Sequence, residues 1–193
     1  MSSMFKDRRF IGFGLIVVSV VLLDRWTKWL VETYMTFGAS IPIWPGVLYI
    51  TSHRNAGAAF GILQNQRIFF LFLTVMVLVF LFWYWPRALK TSWIMGLAIA
   101  FIVGGALGNA WDRLVSGEVV DMIDVRIIHY PIFNVADSAI FIGVVLWLIV
   151  SFWIQPKHAN LTHTLEKSED HTQPIRAFGS ERDDEGEHSD GQR

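Results

Sequence analysis

Residues 92–113 read SWIMGLAIAFIVGGALGNAWDR, an apolar run of helical length that closes on Asn109, Asp112 and Arg113. Crossing the ~30 Å hydrocarbon core of a bilayer takes about 20 mostly apolar residues in a helix, and this run supplies them. Its small residues, Gly96, Ala98, Ala100, Gly104, Gly105, Ala106 and Gly108, let helix backbones approach closely in lipid, where close packing rather than the hydrophobic effect joins helices. The segment from Ser92 to about Trp111 is therefore expected at the centre of a membrane bundle, with its polar end at one face.

Three further runs have comparable character. The first, Phe10 to Leu23, meets Asp24, Arg25 and Lys28; continued through Trp26, Trp29 and Leu30 it makes an amphipathic end at the interface, where tryptophans and long cationic side chains reside. Another, Ile68 to Trp85, carries no charge and is expected to stop at Pro86, with a loop to Thr91. The last runs from Ser138 to Ile154, ahead of Pro156 and Lys157. Lys6, Arg8 and Arg9 precede the first run as in a signal peptide, but Asp24 and Arg25 stand where a small-residue cleavage site would be, so that helix is read as retained. Composition agrees with a lipid-embedded chain: only 17% of the 193 residues are charged, against about 25% in soluble domains. The absence of cysteine excludes disulfides, thiolate metal sites and cysteine nucleophiles.

These runs predict an all-α membrane protein with four transmembrane helices. The connections Glu32 to Gln66 and Asp112 to Asp137 hold stretches rich in β-branched and aromatic residues, from Val47 to Ser52 and from Val119 to Ile128, which predict a small β-rich platform with an amphipathic stretch beside it. The domain reading is a four-helix transmembrane unit over residues 1–156 and an acidic tail over 157–193. That tail holds nine acidic and five basic residues and four of the six histidines without hydrophobic periodicity, and is expected to be disordered. Basic residues do not separate the two faces; the three N-terminal cations place both termini in the cytoplasm and the platform outside it. No internal repeat of the transporter type is present.

Ionisable groups at membrane depth are costly and mark function. Here they gather at one end of the runs: Asp24 on the first, Asn109, Asp112 and Arg113 on the third, Asn134 and Asp137 before the fourth, Asp121 and Asp124 between the last two. Taken singly, each reads equally well as an interface residue or a helix cap, with Asn134 suited to cap the fourth helix. Together their one-sidedness needs another reason. Two aspartates brought close cannot both ionise easily, so one keeps its proton at neutral pH. The ionised member takes a proton from water while the neutral member polarises a carbonyl, which hydrolyses a peptide with no metal, serine or cysteine.

The segments NAGAAFG (55–61), GGALGNAWDR (104–113), GEVVD (117–121) and FNVADS (133–138), with DRWTK (24–28), resemble the signature blocks of the lipoprotein signal peptidase (signal peptidase II) family, in the family's order. The resemblance implies an aspartyl peptidase with Asp121 and Asp137 as catalytic pair and with Asp24, Asn55, Asn109, Arg113 and Asn134 supporting the site or binding substrate. It implies a substrate prolipoprotein that carries a diacylglyceryl-modified cysteine and is cut on the N-terminal side of that cysteine. A bacterial inner-membrane location, a site at the periplasmic face, contact with membrane lipid, a monomer, and no cofactor, metal or nucleic-acid partner go with it. Met122 departs from the family's usual aromatic residue, and the acidic tail is an addition.

Other classes fit less well. A transporter would trace polar residues through the bilayer rather than at one end. The Gly-x-Gly-Asp motif of presenilin-like proteases, the Gly-x-Ser-Gly motif of rhomboids and the His-Glu-x-x-His motif of metallopeptidases are all missing. His53 and His129 are read as ordinary surface residues, and Asp124 as the alternative partner for Asp137.

Overall fold

A computed structural model describes residues 8–58, 60 and 62–154. In chain order these form α1 (Arg8–Tyr34), β1 (Ser40–Trp44), β2 (Leu48–Asn55), α2 (Arg67–Thr91), α3 (Trp93–Val115), β3 (Val119–Val125) and α4 (Val135–Ile149). A 3-10 turn, Arg126–Ile128, follows β3, and a π-turn, Val150–Ile154, extends α4. All four helices are long and apolar enough to cross a membrane. The acidic tail, its histidines and the boundary after residue 156 lie outside the described residues.

The glycine-rich helix is the hub. Within its span 67% of residues are buried, against 17% in α1, 11% in α2 and 22% in α4, so the other three present most of their surface to lipid. Close approach explains the glycines. A Cβ at Gly104 would come 2.8 Å from Val20 Cβ of α1, and one at Gly143 would come 2.6 Å from the Ala98 carbonyl oxygen. A Cβ at Gly105 would overlap the carbonyl oxygen of Ala136, which is backbone and has nowhere to go. Gly105→Ala is therefore expected to push α4 off α3 and destabilise the bundle by about 1–3 kcal/mol. Thermal unfolding in detergent checks this; a wild-type midpoint would show that the helices are not held at this spacing. At the end of the bundle away from the polar cluster, Phe13, Trp85, Ala88, Met95, Ile99 and Val103 form a buried apolar core.

Two helix boundaries differ from expectation. Pro86 does not stop α2, which continues to Thr91. A proline inside a helix forfeits one hydrogen bond and crowds the preceding turn, but Trp85 and Ala88 on either side of it are buried in the core, and this packing holds the turn in place. The break comes instead at Ser92, whose backbone is extended (φ −162, ψ 143) and whose hydroxyl accepts from Ile94 N to cap α3. The expected loop from Pro86 to Thr91 is thus helix. At the other boundary α4 begins at Val135 rather than Ser138, because Asn134 and Asp137 make a reciprocal capping box. Asp137 lies in the first turn of the helix, not ahead of it.

The platform is a three-stranded antiparallel sheet in the order β1-β2-β3. β1, which contains Pro42, is not marked by residue pattern and takes the edge, where a missing N–H is tolerated. The β2–β3 register pairs Ile50 with Ile123 and, past an irregularity, His53 with Asp121. Phe133 bridges to Ile123, which brings the chain before α4 alongside β3. This contact sets Asp121 of β3 beside the first turn of α4. The expected amphipathic stretch corresponds to turns before α2, with Phe60, Ile62 and Leu63 exposed.

Candidate active site

Asp121 is 1% exposed, on a strand whose inner half is buried. Asn55 Nδ2 donates to its Oδ2 at 3.1 Å, and Asn134 Nδ2 donates to its Oδ1 at 2.7 Å. Asp137 accepts from Asn109 Nδ2 on Oδ1 at 2.7 Å and from the Asn134 backbone N–H on Oδ2 at 3.2 Å. One residue, Asn134, therefore touches both carboxyl groups.

The orientation of each amide follows from what faces its other end. Gly57 N donates to Asn55 Oδ1 at 2.9 Å and Asp137 N donates to Asn134 Oδ1 at 2.9 Å. A backbone N–H has no acceptor form, so each of these side chains must turn its NH2 toward Asp121. For Asn109 the fixing donor is the ammonium of Lys28, 3.0 Å from Oδ1, and this turns the NH2 to Asp137. Both carboxyl groups thus sit among donors fixed in advance of any substrate.

Behind the pair lies a buried ionic node. Lys28 Nζ is 2.7 Å from Asp24 Oδ2 and 2.7 Å from Asp112 Oδ2, with Lys28 and Asp24 both fully buried. The Asp24 contact is ionic, its angle lying outside hydrogen-bond geometry. Arg25 also pairs with Asp112. The expectation that Lys28 snorkels at the interface is therefore wrong. The helix carries it to the α1–α3 contact, where two carboxylates take the place of water around its ammonium. Asp24 uses its second oxygen to accept from Ala136 N at 3.0 Å, tying α1 to the start of α4. A Cβ on Gly108 would come 2.6 Å from Asp24 Oδ2, so only glycine admits this carboxylate.

Asp121, Asp137, Asn55, Asn109 and Arg113 line one cleft of about 440 Å3, walled by Phe70 of α2, by Ile140, Phe141 and Val144 of α4, and by Tyr130 to Phe133. Its lining is polar around the two aspartates and apolar along α4. Arg113 does not pair with either aspartate. Its guanidinium donates to Gly57 O at 3.2 Å and lies over the Phe70 ring at 4.7 Å, so it secures the turn after β2 against α2. Burial and the neighbouring Asp137 push the Asp121 carboxyl up to about 7, against the lowering effect of the Asn55 and Asn134 hydrogen bonds.

Asp124 is occupied elsewhere, accepting from Thr51 Oγ1 at 2.8 Å and Arg126 Nε at 2.8 Å on the far part of the sheet. His129 is exposed, while His53 is half-buried in β2. Of the residues the sequence singles out, Asp24, Asn55, Asn109, Asn134, Asp121 and Asp137 join one hydrogen-bonded and ionic network; Arg113 lines the same cleft. Lys28 and Asp112 were not assigned to it. The four-residue spacing of Asp24 and Lys28, which stacks them on one helix face, was the available signal.

The fold and sequence have relatives. Residues 16–153 match the family model of signal peptidase (SPase) II. A lipoprotein signal peptidase of Brevibacillus brevis is 49% identical over 140 residues, covering 72% of this chain and 94% of its own length. That of Anoxybacillus flavithermus is 47% identical over 160 residues, covering 78% and 95%. Two solved structures, described as bacterial membrane enzymes studied by the in meso method, superpose with TM-scores of 0.67 and 0.67. They share 37% and 42% identity and cover 86% and 74% of this chain and 94% and 93% of theirs. With four spanning helices, a platform at one end and this family match over most of its length, the chain belongs to the signal peptidase II family and is a multi-pass membrane peptidase of the lipoprotein signal peptidase kind.

Proposed function

We propose that Asp121 and Asp137 are the catalytic pair of an aspartyl peptidase that removes the signal peptide from prolipoproteins whose cysteine carries diacylglycerol, cutting on the N-terminal side of that cysteine. The observation that carries this reading is the pair itself: two buried carboxyl groups on one cleft, each held by amide donors and linked through Asn134. The ionised carboxylate takes a proton from a water molecule as its oxygen attacks the scissile carbonyl carbon. Its neutral partner gives a hydrogen bond, then a proton, to the carbonyl oxygen. Collapse of the tetrahedral intermediate breaks the C–N bond: the amine leaves with the proton that came from water, and a hydroxyl of the intermediate returns its proton to the carboxylate that had given one, which restores the pair. Asn55, Asn109 and Asn134 keep the pair in place through both steps, Asp24 anchors α4, and Arg113 shapes the cleft wall.

Cleavage of a lipid-modified prolipoprotein by the purified chain in detergent, with chelator present, tests the reading. Its pH dependence has a defined sign. A carboxyl that loses its proton at about 7 leaves the pair neutralised by one proton below that pH and doubly ionised above it. Cleavage is therefore expected to fall as pH rises past about 7, approaching a tenfold loss per unit. A rate that climbs steadily to pH 9 would mean that no carboxylic acid takes part.

The site is proposed to face the periplasm from the inner membrane, with both termini in the cytoplasm and the chain acting as a monomer. A substrate held in the bilayer by its acyl chains presents its scissile bond near the headgroups, the level at which the dyad ends the spans. The chain has no cysteine, so single cysteines report topology directly. Thr36 and Ser116 are exposed near the platform and Lys90 is exposed at the opposite end of the bundle, whereas Ser52 is buried and unsuited to labelling. In intact spheroplasts an impermeant thiol reagent is expected to label cysteines at 36 and 116 and to spare one at 90; the reverse pattern would reject the periplasmic site.

A further inference from the structure

We propose that Lys28 is a positioning residue of the peptidase reaction, turning the Asn109 amide so that its NH2 faces Asp137 and placing a positive charge behind the dyad. The inference rests on the aspartyl-pair reading above. An ammonium has donors and no acceptor; Lys28 gives one to Asn109 Oδ1 at 3.0 Å and makes ionic contacts of 2.7 Å with Asp24 Oδ2 and with Asp112 Oδ2. Asn134 Nδ2 also donates to Asn109 Oδ1, at 3.1 Å. A flipped Asn109 would set its NH2 against both donors, so the amide has one allowed orientation. Asn55 and Asn134 take their orientation from backbone N–H groups on the turn or helix that carries them. Asn109 takes its orientation from a side chain on another helix, and this makes the geometry at Asp137 depend on α1.

The charge has a second effect. The node balances Asp24 and Asp112 against Lys28 and Arg25, and of these Lys28 contacts the amide that reaches the dyad. Lys28 draws the Asp121 carboxyl down, against burial and Asp137, which draw it up. Of the other charged or titratable groups, Arg113 of α3 and Tyr130 line the cleft with the pair, Asp24 of α1 and Asp112 of α3 lie behind it on Lys28, and His53 of β2 is paired in register with Asp121.

The test separates positioning from mere support of the fold. Asp24→Asn with Lys28→Met removes one cation and one anion, keeps the Asp112–Arg25 pair, and leaves an amide oxygen at position 24 to accept from Ala136 N. With a lipid-modified prolipoprotein in detergent, this double variant is expected to unfold near the wild-type temperature. Its kcat should fall by about tenfold or more through misplacement at Asp137, with KM within about twofold, and the alkaline limb should move to higher pH because a cation near a carboxyl has gone. Asp24→Asn alone keeps Lys28 on Asn109 and should not move that limb upward. A folded double variant with wild-type kcat and pH profile, or an equal upward shift in Asp24→Asn alone, overturns the proposal. If the double variant does not fold, Asp24→Asn with Lys28→Leu carries the same expectation. Failure of both charge-balanced pairs to fold would assign Lys28 to stability and overturn it as well. Asp121→Asn run alongside keeps the two readings apart, since activity in that variant would reject the aspartyl pair itself.

Discussion

Asp121→Asn and Asp137→Asn are each expected to lower cleavage of a lipid-modified prolipoprotein by about 10³-fold or more while leaving the protein folded, since positioned acid–base groups contribute roughly 10²–10⁴ each and neither half of the chemistry proceeds alone. Folding should survive for a specific reason. Both oxygens of Asp121 accept from amide donors, so an asparagine in its place must set its own NH2 against one of them, a local cost of about 1–3 kcal/mol. Against that cost, the substitution removes a carboxyl from a site already crowded by burial and by Asp137. Asp124→Asn is the control. Asp124 is committed to Thr51 and Arg126, and the variant should cleave at close to the wild-type rate. The measurement is kcat/KM in detergent beside a thermal melt of each variant; turnover by either dyad variant within tenfold of wild type would reject the assignment.

The largest stability effect is expected at Lys28, alone rather than paired with a compensating change. Lys28→Met leaves Asp24 fully buried with its oxygens served only by Ala136 N, while Asp112 retains Arg25. Removing one partner of a buried ion pair costs about 3–5 kcal/mol because the remaining charge has neither water nor counter-ion. The single variant should therefore melt far below wild type, and adding Asp24→Asn should recover most of the loss, since a neutral amide needs no cation. Equal melting of Lys28→Met and wild type would show that the node is not sealed from water.

Much of this protein was legible in its sequence because lipid imposes strong rules. Four apolar runs must be helices, since inside a bilayer only helices and closed barrels satisfy their backbone hydrogen bonds, and unbroken apolar runs of this length exceed the roughly 10 alternating residues of a barrel strand. The glycines of residues 96–108 announced the central helix, because only a helix approached on several sides needs so many bare backbones. The one-sided cluster of aspartate, asparagine and arginine announced a site, because such groups are too costly at that depth to be there without use. The cap formed by Asn134 was equally visible from residue type and spacing.

Other features belong to the tertiary structure. Pro86 looked like a stop, and only the packing of Trp85 and Ala88 against the core carries the helix through it. Lys28 looked like an interfacial cation; whether a lysine at the end of an amphipathic helix reaches water or turns inward depends on which face meets the neighbouring helix, and Asp112 comes from a helix more than eighty residues away. The direction of each asparagine amide is likewise decided by what lies at its other end, which for Asn109 is a side chain remote in sequence. Residue types and spacing determined which groups this protein could bring to the membrane surface. The strand pairing, the Phe133 bridge and the close contacts at Gly105 and Gly108 decided how they meet, because distance and orientation between segments are set by packing and leave no trace in local pattern.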